Sequence, residues 1–169
     1  MKKTLSCYKL FEEAHLPEYG SDWAACFDLK ASLREGDEIT VYNQSNVKSK
    51  RKVVGGKVTI YHRDRVLVPT GLIFDLDETQ SLRIHPRSGL SLKSGITVAN
   101  CEGVVDADYV QQTYVMLFSN SFVPFDIEDG MRVAQGELVE NVRVSIEVTD
   151  VEPVEKTNRT GGFGSTGIL

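Results

Sequence analysis

The stretch "NCEGVVDADYVQQTYVML", residues 100–117, places two runs of β-branched and aromatic residues on either side of the turn signal "DADY". Such residues are enriched in strands, whereas Asp is typical of turns. The stretch therefore predicts a β-hairpin, with Asp106 at the end of the first run and Tyr109 three residues on. On these residues alone, solvated turn aspartates and a packing tyrosine explain the pattern as well as a functional site does.

Similar short runs recur along the chain, and helical periodicity is nearly absent. Short strands between Gly, Pro, Asp and Asn predict an all-β sandwich or barrel. The other predicted strands are "EITVY" (38–42), "KVTIYH" (57–62), "RVLVPTG" (65–71), "SLRIHP" (81–86), "TYVMLFS" (113–119) and "VRVSIEV" (142–148). One segment, "SGLSLKSG" at residues 88–95, is predicted to form a helical turn or two.

Size and charge narrow the function classes. A chain of 169 residues with 41% hydrophobic residues suits one compact domain, and a net charge of -5 provides no global field that attracts nucleic acid. The basic cluster "KSKRK", residues 48–52, lies in the polar stretch 43–56, which ends in paired glycines. We interpret this stretch as a long hairpin loop or insertion and its lysines as a solvated loop, so no nucleic-acid partner is expected.

The first residues, "MKKTLSC", resemble the start of a secretion signal, but charged residues interrupt the apolar run that a signal needs. No segment is long enough to cross a bilayer, so no membrane partner is expected. Cys7, Cys26 and Cys101 are widely spaced and form no C-x-x-C pair. Their spacing favours a cytoplasmic location and argues against a disulfide framework or a zinc site.

The segment "NRTGGFGSTGIL", residues 158–169, is rich in glycine and includes Arg159 and Phe163. It is interpreted either as a frayed end or as an arm that binds phosphate, because guanidinium, hydroxyl and amide groups donate to phosphate oxygens. We therefore divide the chain into a β domain, residues 1–150, and a spacer with an arm, residues 151–169.

Two strand-like stretches carry polar residues that call for an explanation. In "AACFDLKA", residues 24–31, Asp28 lies among small and apolar residues, so its carboxylate needs a partner; a turn or cap role and a metal role are both open. In "GMRVAQGELVE", residues 130–140, Gln135 interrupts an apolar run and either faces outward or points into a site.

The stretch "HPRSGLSLKSG", residues 85–95, combines groups that bind anions. Arg87 offers a guanidinium fork, Ser88 a hydroxyl and Gly89 an unobstructed amide, at the end of a predicted strand. If a helical turn starts there, its free N–H groups also favour an anion. A triplet of this kind is a weak signal by itself.

In this order, "FDL", "PRSGL", "GVVDADY", "RVAQ" and "RTGGFGSTG" resemble the motifs of the trimeric dUTPase family. The resemblance extends from about Leu5 to the end of the sequence, except for the stretch 43–56. It implies a distorted jelly-roll β-sandwich, a homotrimer and a glycine-rich arm that is mobile when empty and closes over the substrate. It also implies Mg²⁺-assisted hydrolysis of dUTP to dUMP and pyrophosphate, which limits uracil in DNA and supplies dUMP for dTMP synthesis.

The same resemblance implies a role for each matched residue. Asp106 corresponds to the aspartate that orients and deprotonates the attacking water, and Tyr109 to the tyrosine under the deoxyribose. Asp28 corresponds to the carboxylate that holds Mg²⁺ through water. The positions that correspond to the uracil-reading groups are Asn100, Gly103, Val104, Val105, Asp106 and Tyr114.

The remaining matched residues correspond to phosphate and base contacts. Arg87, Ser88 and Gly89 match phosphate contacts from a neighbouring subunit, and Gln135 matches a further polar contact there. In the arm, Arg159 resembles the arginine of the γ-phosphate and Phe163 the ring that caps uracil. Gly164 belongs to the same glycine-rich motif, and Ser165 and Thr166 resemble donors to the terminal phosphates.

Two departures and two alternatives stay open. Gln111 stands where the family has a glycine, which puts the turn geometry in question, and Gly136 replaces a large apolar residue, which predicts a weak strand or a bulge. A dCTP deaminase shares the fold but needs a glutamate on the outgoing strand, where residues 113–118 carry no carboxylate. The other alternative is a regulatory or interaction protein that binds dUTP.

Overall fold

The computed structural model describes residues 4–158. Within them the chain forms fourteen strands and one short helix. The elements are β1 (Ser6–Lys9), β2 (Glu18–Tyr19), β3 (Phe27–Lys30), β4 (Glu38–Tyr42), β5 (Lys48–Lys52), β6 (Lys57–Ile60), β7 (Arg65–Pro69), β8 (Leu72–Asp75), β9 (Gln80–His85), α1 (Ser88–Ser94), β10 (Ile96–Val98), β11 (Gly103–Asp106), β12 (Tyr114–Ser119), β13 (Phe125–Glu128) and β14 (Arg132–Glu140).

The strands form two five-stranded sheets and two small two-stranded sheets. The first large sheet has the order β10-β12-β7-β4-β5, and the second has the order β11-β9-β14-β3-β2. The small sheets pair β1 with β8 and β13 with β6, and the pairs with a printed register are all antiparallel. This confirms the all-β sandwich that the sequence predicts.

Both large sheets contribute to one hydrophobic core. Leu29 and Leu82 come from the second sheet, and Val41, Val66 and Leu117 from the first, and all five are at most 1% exposed. Burial of one such side chain stabilises the fold by about 1.5–3 kcal/mol. The prediction of a single core is therefore confirmed.

Most predicted elements are confirmed to within two residues at each end. The run "EITVY" is β4, and the runs that start at residues 57, 65, 81 and 113 become β6, β7, β9 and β12. The predicted helical turns are α1, which ends where Gly95 adopts a left-handed backbone, with φ of 66°. Glycine adopts this conformation without a steric penalty.

The strand predicted at residues 142–148 is wrong for this chain. Strand β14 ends at Glu140, and no strand is formed between residues 141 and 158. Val142, Ile146 and Val148 are 89%, 93% and 96% exposed. The alternating pattern does define one apolar face, but no described part of the chain covers that face.

The hairpin predicted at residues 100–117 is also wrong. Strand β11 pairs with β9 in the second sheet, whereas β12 pairs with β10 and β7 in the first. The chain therefore crosses from one sheet to the other between them. A turn is present, since the Tyr109 N–H donates to the Asp106 carbonyl at 3.1 Å. Gln111 has no positive φ, so the turn does not require glycine at that position.

The basic cluster is a strand and not a loop. As β5, it pairs with β4 from Tyr42↔Lys48 to Glu38↔Lys52 at the edge of the first sheet. Its lysines are exposed, as predicted for solvated side chains. Arg51 instead turns inward, and its Nη1 lies 2.9 Å from Oδ2 of the buried Asp64.

Gly136 marks neither a bulge nor a weak point in β14. The register shift of this strand lies between Arg132 and Ala134. A Cβ on Gly136 would lie 2.5 Å from Cε2 of Phe27 and 3.1 Å from Cδ1 of Leu82. Glycine is therefore needed because the Phe27 ring packs directly against the strand backbone.

We expect Gly136→Ala to destabilise the protein by about 1–3 kcal/mol, because Phe27 must move out of its packed position. The midpoint of urea unfolding measures the effect. Gly20→Ala is the matched control, since its Cβ would meet only Asp28 Oδ2, at 3.9 Å. Equal midpoints for wild type and Gly136→Ala would contradict this explanation of the glycine.

Candidate functional site

A cluster of ionic side chains lies where three neighbouring strands, β9, β14 and β3, place residues side by side. Arg87 Nε lies 2.8 Å from Asp28 Oδ1, and Arg132 Nη1 lies 3.2 Å from Asp28 Oδ2. Arg87 Nη1 also donates to the Arg132 carbonyl at 3.2 Å. We call these three residues the Asp28 cluster. Two guanidinium groups and one carboxylate give it a net positive charge, which suits an anion.

Gln135 lies next to the Asp28 cluster and supports it. In the sheet it stands opposite Asp28 on one side and His85 on the other. Its Nε2 donates to the Pro86 carbonyl at 3.0 Å, which holds the segment between β9 and α1. Ser88 and Gly89, the first residues of α1, are exposed beside it. The structure thus brings Asp28, Arg87 and Gln135 together from distant parts of the sequence.

Arg132 is a member of this cluster that sequence reasoning did not single out. It stands in the quoted motif "RVAQ", which was its one signal. An arginine at the start of a strand usually faces solvent, and its side chain is 55% exposed. Only the fold shows that it shares Asp28 with Arg87.

The second group of predicted residues lies on β11 and the turn that follows. Asp106 and Asn100 are exposed, and Tyr109 is 41% exposed with its hydroxyl donating to the Gln112 carbonyl at 3.0 Å. Gly103 lets β11 approach β9 closely, since a Cβ there would lie 3.1 Å from Ile84 Cβ.

The neighbours of Asp106 differ in the direction that their side chains take. Val105 is buried in the core, so only its backbone could contact a ligand. Val104 and Tyr114 are exposed, at 47% and 40%. The edge of β11 therefore offers backbone groups together with an exposed carboxylate.

The two groups lie far apart in one chain. The register pairs Asp106 with Ser81, and Arg87 follows six residues further along the chain. At roughly 3.3 Å per residue, the Ser81 and Arg87 backbones are about 20 Å apart. Asp106 and Arg87 therefore belong to opposite ends of β9.

The predicted residues of the arm, Arg159, Phe163, Gly164, Ser165 and Thr166, lie outside the described residues. Their roles stay predictions from the sequence.

Asp28 does not fit a direct role as a metal ligand. Both of its carboxylate oxygens already pair with arginine, and its side chain is 13% exposed. A carboxylate has about four lone-pair positions, so Asp28 can still accept a hydrogen bond from water. The geometry fits an indirect contact, in which water bound to a cation donates to Asp28.

A groove of about 960 Å³ opens elsewhere on the surface, and none of the predicted site residues lines it. Its apolar lining includes Leu5, Leu16, Phe27, Phe74 and Leu138. Its apolar character suits a protein segment better than a nucleotide triphosphate. Among residues 4–158, no helix is long and apolar enough to span a membrane.

Comparisons with known proteins agree with this arrangement. The sequence model of the dUTPase family matches residues 53–167. A deoxyuridine 5'-triphosphate nucleotidohydrolase of Rhizobium rhizogenes is 39% identical over 155 residues, which cover 90% of this chain and 85% of that protein.

Solved structures show the same fold. The dUTPase of Staphylococcus bacteriophage 80alpha with dUPNHPP superposes with a TM-score of 0.77 at 16% identity, covering 99% of this chain and 100% of that one. A dUTPase from phage phi11 of S. aureus, whose structure describes a structural Mg(II) ion, has a TM-score of 0.67 at 16% identity and covers 88% and 98%. Together with the family match and the 39% identity, these findings show that the chain belongs to the dUTPase family.

Proposed function

We propose that this protein is a dUTP diphosphatase, which hydrolyses dUTP to dUMP and pyrophosphate. The observation that carries the proposal is the Asp28 cluster, in which three segments distant in sequence assemble a cationic site beside Gln135 and α1. The names of the relatives support the same reaction.

Asp106 is proposed as the general base. Its exposed carboxylate would accept a proton from water as the water oxygen attacks the α-phosphorus. The bond from the α-phosphorus to the bridging oxygen then breaks, and pyrophosphate leaves with the electron pair. A positioned base of this kind contributes about 10²–10⁴-fold to the rate.

Arg87 is proposed to bind the phosphates in an orientation that is set in advance. Asp28 fixes Nε of its guanidinium, and the Arg132 carbonyl fixes Nη1. Little side-chain freedom is then lost when the substrate binds, which favours affinity. Ser88 and Gly89 would add a hydroxyl and an amide.

Mg²⁺ is the proposed cofactor, and when bound it would neutralise part of the triphosphate charge. Asp28 would contribute by accepting a hydrogen bond from a water on the ion, since both of its oxygens already pair with arginine. Arg132 and Arg87 would keep Asp28 ionised and in place for this contact.

Selectivity for uracil is proposed to come from the edge of β11. Backbone groups between Gly103 and Asp106 would pair with the uracil edge, and Asn100 lies just before them. The 5-methyl group of thymine would clash, and the amino group of cytosine would leave polar groups unmatched. The ring of Tyr109 would lie under the deoxyribose and exclude a 2′-hydroxyl.

We propose that the active form is a C3 homotrimer in which neighbouring subunits complete each site. The separation of about 20 Å along β9 supports this, because one chain cannot place Arg87 beside its own Asp106. The exposed apolar face of residues 142–148 and the apolar groove also support it, since each lacks a cover within the described chain.

The test of the function is an assay of all nucleotides side by side in the presence of Mg²⁺. We expect pyrophosphate release from dUTP at least about a hundredfold faster than from dCTP, dTTP or UTP, because polar mismatches in such sites discriminate strongly. Ammonia release from dCTP would identify a deaminase instead. Tight dUTP binding without pyrophosphate release would identify a regulatory protein.

In the arm, Phe163→Ala should weaken catalysis by about 1–3 kcal/mol if the ring stacks on the base. The ratio kcat/KM for dUTP measures the effect. Phe122→Ala is the matched control, since Phe122 is 85% exposed and lies outside the predicted site. An unchanged kcat/KM for Phe163→Ala would show that the ring does not cap uracil.

A further inference from the structure

Three potential metal ligands meet on the outer face of the second sheet. Cys26 directly precedes β3, His85 ends β9, and Glu137 lies on β14 between those two strands. One donor atom from each residue lies within 4.8 Å of the other two. A thiol, an imidazole and a carboxylate thus share one small volume, although they are distant in sequence.

The chemistry of this set matches zinc. Zn²⁺ takes Cys, His and carboxylate ligands, often three protein ligands with a water in the fourth position. With metal–ligand distances of about 2.0–2.3 Å, tetrahedral donors lie about 3.3–3.7 Å apart. His85 Nε2 and Glu137 Oε2 are already 3.3 Å apart. Their side chains are 28% and 47% exposed, so they can adjust and the ion can enter from solvent.

The surroundings of His85 provide a second observation. Oε1 of Glu102 lies 3.6 Å from His85 Nδ1, and Arg83 Nη1 lies 3.2 Å from Glu102 Oε2. A carboxylate behind the far nitrogen of a histidine is the usual outer partner of a metal-binding imidazole. It favours the tautomer in which Nε2, the nitrogen next to Glu137, is free to bind a metal.

The electrostatics of the cluster also suit a cation. Burial and the charge of Glu137 raise the pKa of the Cys26 thiol. A divalent cation would offset that negative charge and bind the thiolate form.

We propose that Cys26, His85 and Glu137 form a Zn²⁺ site that ties β3, β9 and β14 together. Each ligand lies two residues from Asp28, Arg87 or Gln135 on the same segment, and residues two apart on a strand face the same way. The metal would therefore hold the same strands that carry the Asp28 cluster. The spacing of the cysteines gave no hint of zinc, because only the fold joins these ligands.

The test uses Co²⁺ and Zn²⁺ on the full chain without nucleotide, so its result is independent of the proposed function. In a Cys7→Ser/Cys101→Ser background, Cys26 is the one remaining thiol. We expect one Co²⁺ per chain with a thiolate-to-cobalt charge-transfer band, which Zn²⁺ abolishes by displacement. Adding Cys26→Ser should remove the band, and adding His85→Asn or Glu137→Gln should weaken binding more than about tenfold.

His15→Asn is the matched control, because Nε2 of His15 lies 3.0 Å from Asp129 Oδ2 in another histidine–carboxylate pair. It should leave Co²⁺ binding unchanged. Glu102→Gln, which keeps all three ligands, should weaken binding about tenfold or more and serves if a ligand variant fails to fold. Absence of the charge-transfer band in the Cys26-only protein, or equal affinity in His85→Asn and Glu102→Gln, would overturn the proposal.

Discussion

Asp106→Asn should reduce kcat for dUTP hydrolysis by about 10²–10⁴-fold and leave dUTP affinity almost unchanged. Asparagine keeps the size of the side chain but cannot accept a proton from water at neutral pH. Asp106 is exposed at the end of β11, paired with Ser81 in the sheet, so the substitution should not disturb the core. Single-turnover kinetics and binding of a non-hydrolysable dUTP analogue separate the two effects.

Asp108→Asn is the matched control for this prediction. Asp108 is an exposed aspartate two residues further on, in the same turn. Its replacement should lower kcat less than tenfold. If Asp108→Asn caused the larger loss, or if Asp106→Asn kept more than a tenth of the wild-type turnover, the base would have to be assigned elsewhere.

The sequence predicts the elements of this fold better than their pairing. Runs such as "EITVY" alternate buried and exposed residues, and β4 has this alternation, with Ile39 and Val41 inside. Local composition is enough for that. It does not say which strand lies alongside, so the hairpin prediction at residues 100–117 was wrong, and β11 and β12 lie in different sheets.

The basic cluster shows another limit of composition. Lysines are rare in strands, so "KSKRK" was interpreted as a loop. The sheet edge accepts it because its lysines face solvent and because Arg51 pairs with Asp64. Lysines on an edge strand also hinder unwanted pairing with other chains.

For the candidate site, the motifs pointed to Asp28, Arg87 and Gln135, and the fold places these residues together. What the sequence could not predict is how they contact one another. Both oxygens of Asp28 pair with arginine, and Arg132 is one of the two partners. Such contacts depend on strand order, which brings β3 and β9 to either side of β14. The catalytic and binding roles of these residues stay predictions.

Ile146→Asp should convert the trimer into monomers and reduce turnover of dUTP by more than about a hundredfold. Ile146 is 93% exposed in the described chain, so the substitution would be nearly neutral if the protein worked as a monomer. If a neighbouring subunit covers the apolar face of residues 142–148, each copy loses about 1.5–3 kcal/mol of burial. Burying an unpaired carboxylate costs still more. Activity should fall with assembly, because Arg87 and Asp106 lie at opposite ends of β9.

Ser145→Asp is the control, because it adds the same charge one residue away, where an extended chain points to the opposite face. Ser145 is also exposed, and its replacement should leave both the trimer and the activity intact. Sedimentation equilibrium gives the mass, and pyrophosphate release from the same samples gives the turnover. A trimeric, active Ile146→Asp protein would show that this segment is not at an interface. A fully active wild-type monomer would go further, since a single chain would then have to supply both the base and the phosphate-binding arginine of each site.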